Sequence, residues 1–109
     1  MFKIVSNPTF THTVTVMMPV DSGHAEETLL VTYNYLDTAE VEQFDLKSTD
    51  GTSSFLSTLI RKIDGLTDST GQPVACTLEL REKLLRMANV RLALLRHYFD
   101  AVTKVREGN

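Results

Sequence analysis

A small α+β fold, with a short antiparallel sheet followed by helices packed on one of its faces, is what this 109-residue chain predicts. Three features carry the prediction. The first third is rich in β-branched residues that alternate with period two. From Asp37 onward, apolar residues recur at helical spacing. Short runs of Gly, Asp, Ser and Pro separate the periodic stretches.

The first strand is read from Thr11-His12-Thr13-Val14-Thr15-Val16-Met17-Met18, where Val14 and Val16 alternate with Thr13, Thr15 and Met17. Pro19-Val20-Asp21-Ser22-Gly23 has turn chemistry. A second strand is expected over Glu27–Tyr35, with Leu29, Val31, Tyr33 and Tyr35 on one face and Leu30, Thr32 and Asn34 on the other. A mobile loop of roughly seven to ten residues would join the two. Phe2-Lys3-Ile4-Val5 is the candidate for a third strand, closed by Asn7-Pro8 because proline removes a ladder donor and restricts the residue before it. The sheet thus has two to three strands.

The remainder reads as three to four helices. Asp37 and Glu40 form a capping-box pattern with Leu36 and Val41 at the staple positions, which predicts a short helix over 38–48. Ser48-Thr49-Asp50-Gly51 reads as a break. A second helix is expected from Thr52 or Ser53, with Phe55, Leu56, Leu59, Ile60 and Ile63 on one stripe and Gly65 as its stop. Thr67 to Pro73 is polar loop. Thr77 caps a third helix with Leu80, Leu84 and Met87 or Ala88 on its apolar face, and Glu79 lies near its positive end. Asn89 interrupts, and a fourth helix follows over about 90–104. Its apolar stripe is Val90, Leu94, Leu95, Tyr98, Phe99 and Val102, and Arg91, Arg96, Asp100 and Lys104 face outward. The domain organisation expected is one unit over 1–109, with a β layer at 1–36, a helical layer at 37–106 and a frayed tail at 107–109.

Composition narrows the function. The net charge of −3 and the Glu79, Glu82, Asp100 and Glu107 scattered among the C-terminal basic residues speak against nucleic-acid binding, which draws on clustered Lys and Arg. No apolar run reaches the roughly 18 residues of a membrane helix, and no stretch has signal-peptide form, so no membrane association and a cytoplasmic location are expected. The lone Cys76 permits no internal disulfide and reads as a small residue closing the loop before the third helix. His12, His24 and His97 stand isolated in a strand, a loop and a helix. No acid–base, nucleophilic, phosphate-cradling or metal-ligand spacing is present, so no enzyme activity and no cofactor are expected.

The features left are apolar. Met17-Met18-Pro19-Val20 leads into a turn, and methionine side chains adapt to varied partners. The alternative is that one Met faces the core and the other covers a sheet edge. Leu92 lies off the main stripe of the fourth helix, which fits burial on two sides, within the monomer or by a partner. A small sheet also has edges, through which strand addition or a dimer forms.

The stretch from Leu59 to Leu85 resembles the small tail assembly chaperones of long-tailed phages and prophages. The likeness lies in the turn at Gly65-Leu66, the Asp68…Gly71…Pro73 loop, the helix capped by Thr77 and the paired Leu84-Leu85. Tyr98 and Phe99 match the aromatic that such proteins hold in the following helix, and the N-terminal hairpin is also similar. The chain departs from the pattern in having Leu66 where an aromatic often stands, and in lacking tryptophan. The resemblance implies a non-enzymatic protein of the bacterial host's cytoplasm that holds the tape measure protein, recruits the major tail protein, and is absent from the finished virion. Many such proteins are also made in a second, longer form by a programmed frameshift, and a homo-oligomer is plausible. The alternative is a structural tail protein, of tail-completion or terminator type, retained in the particle. The contact surface expected on either reading is Met17, Met18, Val20, Leu66, Leu92 and Tyr98.

Overall fold

The structure, a computed structural model, describes residues 1–105; Arg106 and the tail expected at 107–109 lie outside the described residues. Two long strands, β1 (Thr9–Val20) and β2 (Gly23–Asn34), pair antiparallel through an unbroken twelve-residue register from Thr9↔Asn34 to Val20↔Gly23. The connection is therefore the two residues Asp21-Ser22, not the seven-to-ten-residue mobile loop expected. Gly23 makes this possible by opening β2 at φ +141°, a conformation open to a residue without Cβ.

The third strand is not Phe2–Val5, whose side chains are exposed, but β3 (Ile60–Asp64), and the sheet order is β1-β2-β3. This is the largest departure from the expected pattern. The stripe Phe55, Leu56, Leu59, Ile60 and Ile63 is buried throughout, yet only its first three members are helical. Ile60 and Ile63 are three residues apart, a spacing that puts strand residues on opposite faces. A bulge at the Thr32/Tyr33 step pairs Tyr33 with Ile60 and Thr32 with Lys62, so Arg61 is the extra residue and the alternation is reset. Both isoleucines then reach the core. The division into a strand layer and a later helical layer at residue 37 is thus crossed by β3 and by the small hairpin of β4 (Leu66–Thr67) and β5 (Pro73–Val74).

Helix α1 (Thr38–Glu42) is a little over one turn and stops well short of residue 48. Its capping box forms as expected: Asp37 Oδ1 accepts from Glu40 N at 2.8 Å and Glu40 Oε1 from Asp37 N at 3.2 Å. Helix α2 (Thr49–Leu59) begins where a break was expected, since Ser48 is its N-cap and accepts from Gly51 N at 2.9 Å. Gly51 is there for space: a Cβ on it would lie 1.9 Å from the Asp45 carbonyl oxygen. Helix α3 (Leu78–Leu85) is capped by Thr77, and α4 (Ala88–Thr103) follows after a break at Arg86-Met87, just before Asn89.

The helices cover one face of the sheet. Val14, Val16, Leu29, Val31 and Tyr33 point into the core against Phe55, Leu56, Leu59, Leu94 and Tyr98. Tyr35, placed on that face by the alternation, lies beyond the end of β2 and is exposed. Thr9, Thr11, Thr13, Thr15 and Thr28 stand exposed on the strands, and Thr11 Oγ1 and Thr32 Oγ1 share a hydrogen bond of 2.8 Å across β1 and β2. Arg91 does not face out. Its guanidinium donates to Ser53 Oγ, Leu85 O and Thr49 O, tying α4 to the start of α2 and the end of α3.

Candidate functional site

The hairpin has two chemically different ends. Near Phe10 and Tyr33 lies an aromatic cluster. Phe10 stacks on Tyr33 at 5.1 Å between ring centroids, Tyr33 meets Tyr98 at 5.4 Å, and Phe55 lies 6.4 Å from Tyr98. Both buried tyrosine hydroxyls are used. Tyr33 Oη donates to Leu94 O at 2.9 Å, and Tyr98 Oη accepts from Leu36 N at 3.0 Å. Burial pushes both phenol pKa values up. Tyr98, expected on the contact surface, is 1% exposed and is a core residue whose hydroxyl closes the chain turn after β2. Its aromatic character fits either role; its place on the buried stripe decides for the core.

His12 and His97 are not isolated. They are 85 residues apart in the chain, and their Nδ1 and Nε2 atoms lie 2.9 Å apart. One ring donates and the other accepts. His97 also stacks flat on Tyr33, at 6.1 Å and 3°. Burial lowers the His97 pKa, the neighbouring His12 lowers it further, and Asp100 opposes both. No sequence signal could have found this pair, because nothing local links the two residues.

A polar cleft of about 470 Å³ opens beside this end, lined in part by Asn34, Asp37, Glu40 and Arg61. Its polar groups serve the backbone: Asp37 and Glu40 are held in the capping box, and Asn34 Nδ2 donates to Thr58 O at 2.9 Å. Among the described residues no three His, Cys, Asp or Glu side chains come together as a metal site. Cys76 is half-buried, and burial raises its thiol pKa, opposite to the activation of a nucleophile. Asp68 has its pKa lowered by the Thr70 hydroxyl and then by the Gln72 and Thr70 amides, which makes it the organiser of the β4–β5 turn.

The other end, toward the Asp21-Ser22 turn, carries the remaining contact candidates and divides them into two grooves. Met18 and Leu66 are brought together with Val16, Leu84, Met87 and Val90 around a groove of about 180 Å³ between the sheet and the end of α3. Met18 is half-buried there, and its sulfur lies 3.0 Å from Asn89 Nδ2. Met17 and Leu92 lie apart from these, beside a second groove of about 450 Å³ between β1 and α4. Leu92 is exposed on α4, so it is not buried within the monomer. Val20 is exposed at the hairpin tip. Met87 and its groove were missed because Met87 reads as a core position of α3, whereas it lies just beyond that helix. Asn89 was read only as a helix interrupter; its side chain also donates to Met17 O at 2.9 Å.

Comparison with family models, with curated proteins and with solved structures finds no match. No helix among the described residues is long and apolar enough to cross a membrane.

Proposed function

We propose that this protein is a tail assembly chaperone of a phage or prophage, which takes an apolar helical segment of the tape measure protein into the groove between Met18, Leu66 and Met87 and recruits the major tail protein to it. The observation that carries the reading is the convergence of two methionines and a leucine from three separate parts of the chain on one open, half-buried apolar groove. Two unbranched thioethers re-pack around different side chains at low cost, which suits a protein that holds successive stretches of a long helix in turn and releases them. The resemblance over Leu59–Leu85 supports the same reading through its turn, loop and capping residues; Leu66 itself stands where such proteins often hold an aromatic.

Co-expression with the tape measure protein tests it. The wild-type chain is expected to raise the fraction of tape measure recovered in solution. Leu66→Glu, which sets a charge in the groove, is expected to abolish that rise while its own circular dichroism stays native. Equal recovery with and without the wild-type chain sinks the proposal. So does a stoichiometric amount of this chain in purified virions, which is the signature of a structural tail protein.

A further inference from the structure

We infer that the His12–His97 hydrogen bond is an acid-released clasp on the seam between β1 and α4. It holds while one proton bridges the rings, opens when both rings are charged, and hands His97 to Asp100. This holds whatever the chain binds in the Met18–Leu66–Met87 groove.

Helix α4 runs antiparallel along β1, and two side-chain bonds fasten them. Near the turn end Asn89 Nδ2 donates to Met17 O at 2.9 Å. Near the aromatic end His12 Nδ1 and His97 Nε2 lie 2.9 Å apart. Both Asn89 and His97 line the groove of about 450 Å³ between β1 and α4, so it reaches from one fastening to the other. Only the histidine fastening is built from side chains whose charge changes in mild acid.

The ring planes stand at 86° with their centroids 5.1 Å apart. The two nitrogens therefore lie close to the line joining the rings and aim at each other, as a shared proton requires. Lone pairs aimed at a common ion would meet at an angle instead.

Counting protons shows when the bond fails. A neutral imidazole has one N–H and one bare nitrogen. In the uncharged pair, one bridging nitrogen carries the hydrogen and the other accepts it. A first added proton goes to the far nitrogen of the donor ring, and the bridge survives as a charge-assisted bond. A second has only the accepting nitrogen left to occupy. Two N–H groups then face each other across a gap that fits one hydrogen, and the rings part.

His97 has somewhere to go. The charged and titratable groups around it are His12 on β1, Tyr33 on β2, and Arg96 and Asp100 on α4. The Tyr33 hydroxyl is committed to Leu94 O, and Arg96 is a fixed cation. Asp100 is the anion among them. It lies three residues on along α4, within reach of His97, and has no ion-pair partner among the described residues. Burial lowers the His97 pKa and His12 lowers it further, against the pull of Asp100, so the clasp opens below pH 6.5. In turning to Asp100, His97 leaves the face of Tyr33, and His12, which meets Phe10 edge-on at 4.9 Å, swings free. Asn89 and apolar packing then hold β1 to α4, and the groove widens at its aromatic end.

NMR of the imidazoles in the full chain, from about pH 8 to about pH 5, tests this. The wild type is expected to show contacts between the His12 and His97 rings at the upper end and to lose them at the lower end. The Asn89–Met17 contact and the dispersed amide spectrum of the folded chain are expected to stay. His12→Ala removes the neighbouring charge and the shared proton, so His97 is expected to titrate at higher pH. Asp100→Asn removes the acid-state partner, so His97 is expected to titrate at lower pH. Both substitutions fall on exposed side chains, and either alone decides the matter should the other not fold. Ring contacts that persist when both imidazoles are charged overturn the inference. So does a His97 midpoint that neither variant moves, or a loss of ring contacts that comes only with loss of the folded amide spectrum.

Discussion

The two ends of the hairpin differ in how they are held. The aromatic end is fixed by directional bonds: two buried hydroxyls bonded to the backbone, and planar rings with defined contacts. The turn end is held mainly by the apolar contacts of Val16, Met18, Leu84 and Met87, which have no preferred direction, with Asn89 donating to Met17 O and to the Met18 sulfur, beside an open groove. One sheet therefore carries a rigid anchor and an open, largely apolar groove some twenty ångströms or more apart along a twelve-residue strand, at about 3.3 Å per residue.

Substitutions break this contrast in a definite order. Phe55→Ala, which removes a fully buried ring from the aromatic end, is expected to cost about 3–5 kcal/mol by urea denaturation. Tyr98→Phe strands the buried Leu36 amide and is expected to cost about 1–3 kcal/mol. Tyr33→Phe is expected to cost less, about 1 kcal/mol, because a helix carbonyl has a second acceptor site and a helical amide available to it. If the two tyrosine variants come out equal, the aromatic end is held by packing and not by its hydroxyls. At the turn end, Met18→Leu conserves volume and is expected to cost under about 1.5 kcal/mol. Val20→Ser is expected to stay within about 0.5 kcal/mol.

Acid sharpens the comparison, because only the aromatic end carries imidazoles facing the helices. His97 binds a proton less readily folded than unfolded, so the unfolded chain takes up more protons in acid. Its contribution is fully present above its ordinary value of 6.5 and is lost as the pH falls through that value toward the lower folded one. The urea midpoint is expected to drop between about pH 7.5 and about pH 5.5. His97→Gln is expected to flatten that drop, whereas His24→Gln in the exposed turn-end strand is expected to leave it unchanged.

Legibility in the sequence followed locality. The alternation of Val14 and Val16 with threonine, and of Leu29, Val31 and Tyr33 with their neighbours, names the buried face of β1 and β2 directly. The caps at Asp37 and Thr77 were legible for the same reason, since each partner lies three residues away. The spacing of Ile60 and Ile63 misled because a bulge opposite the Thr32/Tyr33 step lets a strand bury residues at helical spacing. Gly51 misled because glycine required by a close Asp45 carbonyl looks the same as glycine that breaks a helix. Of the groove residues, Met18 was legible as the continuation of the Val14 and Val16 face, and Leu66 as an apolar residue just past Gly65. Their meeting with Met87 was not, because it depends on where β4 and α3 end in space.

Helix α2 passes into β3 with no intervening residue, Leu59 ending one and Ile60 starting the other. Arg81 clamps the joint, donating to Ser57 O at 3.2 Å and to Ile60 O at 2.6 Å. With no slack between them, the two elements share one fate. A pull on the strand is a pull on the helix, and unzipping the sheet along β2 drags Phe55 and Leu56 out with it. Native-state hydrogen exchange is therefore expected to report a single opening free energy for the amides of both, as for one lever and not two hinged parts.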